Sequence, residues 1–246
     1  MLKICMIVPC YNEGQRILEN EYLSFLNTHT NFNLLFVDDG SNDQTYEVLS
    51  KLKEKHQNIN LLKLNKNSGK AEAIRSGFNT IKNSNYQLIG YIDADLAIPF
   101  SEVLRLQEKI NEGYLFAFSS KKPTQNSNLE IKFKRYFIGR VLSFMVSKSL
   151  KLKVYDTQCG CKLMEKDLAE IAFRNTFFSS WLFDVEIIWR IIIQNGRSFF
   201  NNKAIEVPVK KLIDRGSSRI KLSDLFSLPF EFFRIHSHYK KTLKAG

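Results

Sequence analysis

The chain has 246 residues, 44% of them hydrophobic, with 36 Lys and Arg against 25 Asp and Glu for a formal net charge of +11. This is enough apolar material for one well-filled core or two intimately packed domains. Four cysteines (Cys5, Cys10, Cys159 and Cys161) are too few for a disulfide framework, and no Cys or His pair at zinc-site spacing accompanies the last two, so buried reduced thiols are expected.

The opening "MLKICMIVPCYNEG" carries an apolar run of about six residues, short of the roughly 7–15 that a signal peptide needs. Short apolar runs and helix-like segments then alternate through the first 120 residues. Strands are expected at Lys3–Pro9, Asn33–Val37, Asn60–Leu64, Gln87–Asp93 and Tyr114–Phe118. The stretches between them read as helices at Gly14–Asn27, Asp43–Lys55, Gly69–Lys82 and Ser101–Asn111, with Ser41-Asn42-Asp43 and Ser101 as N-cap candidates. Such alternation predicts an α/β fold, a mostly parallel sheet flanked by helices. Ligands of such sheets sit beyond the carboxyl ends of the strands. The exits there read "PCYNEG", "DDGSND", "NKNSGK" and "DADLAIP". Ordinary turns explain any one of them. Two acidic pairs at one edge, Asp38-Asp39 and Asp93 with Asp95, ask for more.

Beyond residue 120 the character changes. Residues 1–100 hold 10 basic and 11 acidic side chains, whereas residues 101–246 hold 26 and 14. A basic excess confined to the second half predicts an anionic partner met there. Residues 132–149 read as a basic, imperfectly amphipathic helix, with Phe133, Phe137, Val141, Phe144 and Met145 on one face and Arg135, Arg140, Ser143 and Ser147 opposite. It is either a core helix with a solvated back or an interfacial helix on anionic lipid. "SWLFDVEIIWRIIIQNG" is a strong helix ending at Gly196, with Asp184 and Glu186 in its first turn, where the helix dipole welcomes acids. "KAIEVPVKK" is a further strand, and residues 222–246 form a second aromatic, basic segment. No run of about 18 apolar residues is present, so no transmembrane helix is expected.

Several chemistries are missing from the sequence. It has no G-x-G-x-x-G fingerprint, no G-x-S-x-G elbow and no complete phosphate loop. The four histidines avoid the strand exits, which leaves carboxylate chemistry. Asp93 and Asp95, two apart on a chain read as extended, would face the same way. Their repulsion is relieved by a divalent cation, and hard oxygen donors favour Mg²⁺ or Mn²⁺ completed by water and phosphate oxygens. The pair therefore points to a phosphorylated ligand.

"IVPCYNE", "VDDGSND-T", "N-SGKAEAIRSG", "DADLAIP", "DTQCGCKL", "W-FDVE" and "EVPV" follow in order along residues 3 to 221. Together they resemble the family 2 glycosyltransferases of GT-A (Rossmann-like) fold. The closest resemblance is to the dolichyl-phosphate β-glucosyltransferases and related polyprenyl-phosphate transferases. The resemblance implies an inverting transfer of a hexose from a nucleotide sugar, UDP-glucose or a close relative, with Mg²⁺ or Mn²⁺. Pro9, Tyr11, Glu13 and Asp38 would line the nucleoside pocket, Lys70 would lie near the nucleotide, and Asp39 and Gln158 would also belong to the nucleotide-sugar site. Asp93 would be shared by ribose and metal, and Asp95 would hold the metal. Asp184 and Glu186 would face the sugar or the acceptor. For a polyprenyl phosphate acceptor, Arg135, Arg140 and Arg219 are candidate cations. The resemblance places the enzyme on the cytosolic face of a membrane, where this chain would dock peripherally through residues 132–149 and 222–241, the C-terminal segment following a catalytic domain at 1–221. Two other readings remain open: transfer to a sugar hydroxyl, which needs a carboxylate base, and a basic nucleic-acid or lipid-binding module without catalysis, against which the acidic exits of the near-neutral first half argue.

Overall fold

A computed structural model describes the backbone of residues 1–123, 133–215 and 222–245, and the side chains over 1–123, 140–215 and 228–242. Arg219 lies outside the described residues, as does the side chain of Arg135.

Among the described residues, seven strands form one sheet in the order β3-β2-β1-β4-β6-β5-β7. They are β1 (Ile4–Cys10), β2 (Phe32–Asp38), β3 (Ile59–Lys63), β4 (Leu88–Ile92), β5 (Phe116–Ser120), β6 (Cys161–Glu165) and β7 (Ala204–Pro208). Six run parallel and only β6 is reversed, pairing antiparallel with both β4 and β5. This is the expected α/β architecture. The reversed strand was not foreseen, because "CKLME" is short and has no alternation of its own. Its register sets Cys161 beside Ile92, so the "DTQCG" stretch enters the sheet at the edge where β4 leaves it.

Alternate strand residues feed two cores. Ile7, Leu35, Val37, Ile89 and Tyr91 face α3 (Lys70–Ile81), α6 (Lys166–Phe173) and α7 (Phe183–Lys203). Met6, Val8, Leu34, Phe36 and Ile92 face α1 (Glu19–Thr28), α2 (Thr45–Lys55) and α4 (Phe100–Asn111). Gly90 is forced by the sheet: a Cβ there would strike the Lys162 carbonyl of β6.

Helix starts differ from expectation at several places; α2 begins at Thr45 with Gln44 as its N-cap, rather than at Asp43 with a cap among Ser41, Asn42 and Asp43. α1 begins at Glu19 rather than Gly14, because residues 13–17 make one isolated turn pinned across to the β2–α2 connection. There the Glu13 amide donates to Thr45 Oγ1 at 2.7 Å and the Gly14 amide to Asp43 Oδ2 at 3.2 Å. Ser101 lies inside α4, whose N-cap is Pro99. α7 breaks at Gly196, with φ 87°, where its end was expected, and then resumes to Lys203.

The second half adds α5 (Phe133–Leu150) and α8 (Leu222–Ala245). Phe232, Ile235 and Tyr239 of α8 are buried in the α7 core. On α5, Val146 and Leu150 are buried, while Val141 and Phe144 are exposed and Met145 is half-buried. The polar stripe turns inward instead: Arg140 donates to the Tyr155 carbonyl at 3.0 Å, Ser143 donates to the same oxygen, and Ser147 donates to the Leu152 carbonyl. No described helix is long and apolar enough to cross a membrane.

Candidate active site

The exits of β1, β2, β3 and β4 and the entry of β6 meet at one edge of the sheet. Hydrogen bonds lace the first two exits together. The Asp39 amide donates to the Cys10 carbonyl at 2.8 Å, the Asn12 amide to Ser41 Oγ at 3.0 Å, and the Asn42 amide to Asn12 Oδ1 at 2.9 Å. Pro9 and Tyr11 are half-buried along this seam, and Glu13 is buried.

Asp38 and Asp39 divide their duties. Asp39 faces the β3–α3 loop, where its two oxygens accept the Ser68 and Gly69 amides at 2.8 Å each. Burial is the largest influence on its carboxyl and raises its pKa against those amides. Asp38 is fully buried; Oδ1 accepts the Ser41 amide at 3.1 Å, and Oδ2 has no hydrogen-bond partner among the described residues. An orphaned buried acceptor is costly unless a ligand donates to it.

Asp93 and Asp95 are close for a different reason than strand alternation. β4 ends at Ile92, and residues 93–96 form a turn closed by the Leu96 amide on the Asp93 carbonyl at 3.1 Å, with Leu96 at φ 48°. The expected extended geometry is therefore corrected: a turn, not a pleat, displays the two acids. Each has its own cation. Lys70 Nζ, on the first residue of α3, lies 2.5 Å from Asp93 Oδ1, and Arg16 NH2 lies 3.1 Å from Asp95 Oδ2. Arg16 also reaches Glu13 Oε2 at 3.4 Å, tying the β1 exit to the β4 exit. Burial works to lower the pKa of Lys70, but the charges of Asp93, Asp184 and Asp95 prevail and hold it above the ordinary lysine range. Gly160 presses on the other side of Asp93, and a Cβ there would collide with the carboxylate.

The "DTQCG" loop is built by carboxylates acting on backbone. Glu206, from "EVPV", accepts the Tyr155 and Asp156 amides at 2.8 and 2.7 Å. Asp156 in turn accepts the Lys121 and Gln158 amides at 3.0 and 2.9 Å. Gln158 is half-buried, and its side-chain amide donates to Thr157 Oγ1 at 3.5 Å.

Asp184 and Glu186 part company. Asp184 Oδ1 lies 2.7 Å from Lys162 Nζ and accepts the Tyr91 hydroxyl, and Lys70 Nζ lies 5.9 Å from the ring centroid of the neighbouring Phe183. Glu186 is withdrawn into the fold. It accepts the Phe178 and Ser179 amides at 3.1 and 2.9 Å and the Tyr239 hydroxyl at 2.9 Å, with Arg190 at 3.7 Å. Burial, the leading cause, raises its carboxyl pKa. Arg140 lies over the Tyr155 ring at 3.6 Å, in addition to its bond to that residue's carbonyl. Sequence reading passed over Arg16, Tyr91 and Lys162. The one clue to Lys162 was a lysine inside the apolar run "CGCKLM".

The sequence pattern of the glycosyl transferase family 2 matches residues 5–172, a span holding both acidic pairs and the "DTQCG" loop. The chain belongs to this family. As a family 2 glycosyltransferase it is similar to a dolichyl-phosphate beta-glucosyltransferase of Trichomonas vaginalis, 28% identical over 96% of this chain and 72% of that protein. The human dolichyl-phosphate beta-glucosyltransferase is 29% identical over 76% of this chain and 62% of its own length. An undecaprenyl-phosphate 4-deoxy-4-formamido-L-arabinose transferase of Photorhabdus laumondii is 28% identical over 68% and 50%. Among solved structures, glucosyl-3-phosphoglycerate synthase from Mycobacterium tuberculosis with Mn²⁺, UDP and glucosyl-3-phosphoglycerate superposes with a TM-score of 0.67 over 97% of this chain and 80% of that one. At 15% identity, that likeness shows the GT-A fold of this glycosyltransferase.

As to a metal, no described group of three or more His, Cys, Asp or Glu side chains is arranged to hold one alone. The two carboxylates Asp93 and Asp95 fit a Mg²⁺ or Mn²⁺ site of the kind completed by substrate phosphate and water.

Proposed function

We propose that this glycosyltransferase moves a hexose, glucose in the first instance, from a UDP-sugar to a polyprenyl phosphate at an anionic membrane surface. The observation that carries the reading is the match to dolichyl-phosphate beta-glucosyltransferases along nearly the whole chain, including the loop packed against Asp93. The orphaned Asp38 Oδ2 is the acceptor for a ring N–H of the base, and Pro9, Tyr11, Glu13 and Gln158 complete the donor site. Asp93 and Asp95 would hold a Mg²⁺ or Mn²⁺ ion, which would supply positive charge to stabilise the departing nucleoside diphosphate. Lys70 and Arg16 balance the acids and steer the diphosphate.

A lipid phosphate is already ionised near neutral pH, so its oxygen attacks the anomeric carbon, with inversion, without a protein base. Asp184 then orients the donor sugar, and Glu186 secures the loop beside it. The basic excess of the second half, with Arg135, Arg140 and Arg219 as candidates, gathers the incoming phosphate. The exposed Val141 and Phe144 of α5 and Phe230 and Phe233 of α8 support peripheral docking on the cytosolic leaflet. Incubation with UDP-[¹⁴C]glucose, Mn²⁺ and several polyprenyl phosphates should yield labelled lipid. No labelled lipid from any donor–acceptor pair sinks this reading.

A further inference from the structure

Lys162 has no exposed surface, yet it lies on a central strand of the sheet. Its register partner on β4 is Tyr91, so the two side chains stand next to each other on one face. Both converge on a single atom: Lys162 Nζ approaches Asp184 Oδ1 at 2.7 Å, and the Tyr91 hydroxyl donates to the same oxygen. Lys162 Nζ also donates to the Cys159 carbonyl at 2.8 Å, one residue before the Gly160 that presses on Asp93. Among the described residues no hydrogen bond reaches Asp184 Oδ2.

A buried ion pair is a poor way to stabilise a fold, since an apolar side chain of similar volume serves as well or better once desolvation is counted. What the pair supplies is direction. A carboxylate gripped at one oxygen by donors from two adjacent strands has little freedom to turn. We infer that Lys162, aided by Tyr91, is a positioning residue that presents Asp184 Oδ2 to the donor sugar and fixes its place relative to Asp93. The lysine thereby joins the diphosphate half of the cleft, through Cys159 and Gly160, to the sugar half. This inference rests on the reading of Asp184 as the sugar-facing carboxylate.

The test compares wild type, Lys162→Met, Asp184→Asn and the double variant, with Tyr91→Phe as a milder probe. UDP release from UDP-glucose with Mn²⁺ is followed with polyprenyl phosphate and, as slow donor hydrolysis, without it. Misplacing a reacting group by about 1 Å costs about 100-fold. Lys162→Met should therefore lower kcat by about 10- to 100-fold, with donor KM within about threefold. If the lysine acts through Asp184, adding Lys162→Met to Asp184→Asn should slow the enzyme by no more than about twofold. A purely structural lysine would lower the melting temperature and leave kcat per folded molecule unchanged, and that result overturns the inference, as does full multiplication of the two losses. Should Lys162→Met not fold, Tyr91→Phe alone and with Asp184→Asn runs the same cycle. If wild type transfers to no polyprenyl phosphate, the acceptor reading fails, while the cycle is still read from donor hydrolysis.

Discussion

Tyr239 of α8 donates a hydrogen bond to Glu186 of α7 at 2.9 Å, and its hydroxyl oxygen accepts one from Arg190 Nε at 3.0 Å. Arg190 continues to the carbonyls of Ala172, Asn175 and Thr176, and Glu186 to the amides of Phe178 and Ser179. The C-terminal helix is thus bolted to the loop that leads into Asp184. Tyr239→Phe leaves Glu186 and Arg190 short of a partner and should cost about 1–3 kcal/mol. Denaturant unfolding measures the loss, and hydrogen exchange should show α8 loosening first. An unchanged midpoint would mean that the network adds nothing to docking.

Gly160→Ala should separate binding from folding. The added Cβ meets the far end of a half-exposed aspartate, which can rotate away, so the melting temperature should move by only a few degrees. Asp93 would then leave Lys70, and metal-dependent affinity for UDP should fall at least about tenfold. Titration calorimetry with Mn²⁺ and UDP decides this, and wild-type affinity contradicts the placement of Asp93 in the donor site.

Acid should loosen the contact between α5 and α8. His236 Nδ1 lies 2.6 Å from Ser149 Oγ, and burial first, then the charge of Lys240, holds its pKa below the ordinary 6.5. The unfolded chain takes up the proton near that ordinary value while the folded one resists. This contribution to stability is therefore complete above about pH 6.5 and is lost as pH falls through the lower folded value. Between about pH 7.5 and 5 the wild type should lose more melting temperature than His236→Gln. Parallel profiles would remove His236 from the account.

The exposed aromatics should matter to lipid and not to fold. Phe144, Phe230 and Phe233 are 66%, 73% and 59% exposed, so replacing all three by Ser should change stability by less than about 1 kcal/mol. Co-sedimentation with anionic vesicles should drop several-fold, with UDP affinity unchanged. Vesicle binding that survives the triple change assigns docking to another surface.

Much of the donor half was legible because its signals are local. Apolar runs ending in "DDGS" and "DAD" declare strand, exit and acid together, since a parallel sheet gathers its carboxyl ends at one edge. The turn at 93–96 was misread as an extension of the strand, because Leu96 at φ 48° is a backbone choice its side chain does not advertise. Glu186 and Asp184, two residues apart on one helix, carry the same sequence signal. Their separation is decided by what packs around them, with loop amides and α8 around one and Tyr91 and Lys162 around the other.

The sequence by itself determined the strand–helix alternation, the acidic exits and the basic second half, because those rest on composition and period. Tertiary structure alone decided that β6 runs backwards between β4 and β5, that Lys70 and Arg16 balance the acidic pair, and that the polar stripe of α5 faces inward. The physical reason is that residues far apart in the chain satisfy one another's charges and hydrogen bonds only once the sheet has fixed their distance. Lys162 and Asp184, 2.7 Å apart across 22 residues of chain, are the plainest instance.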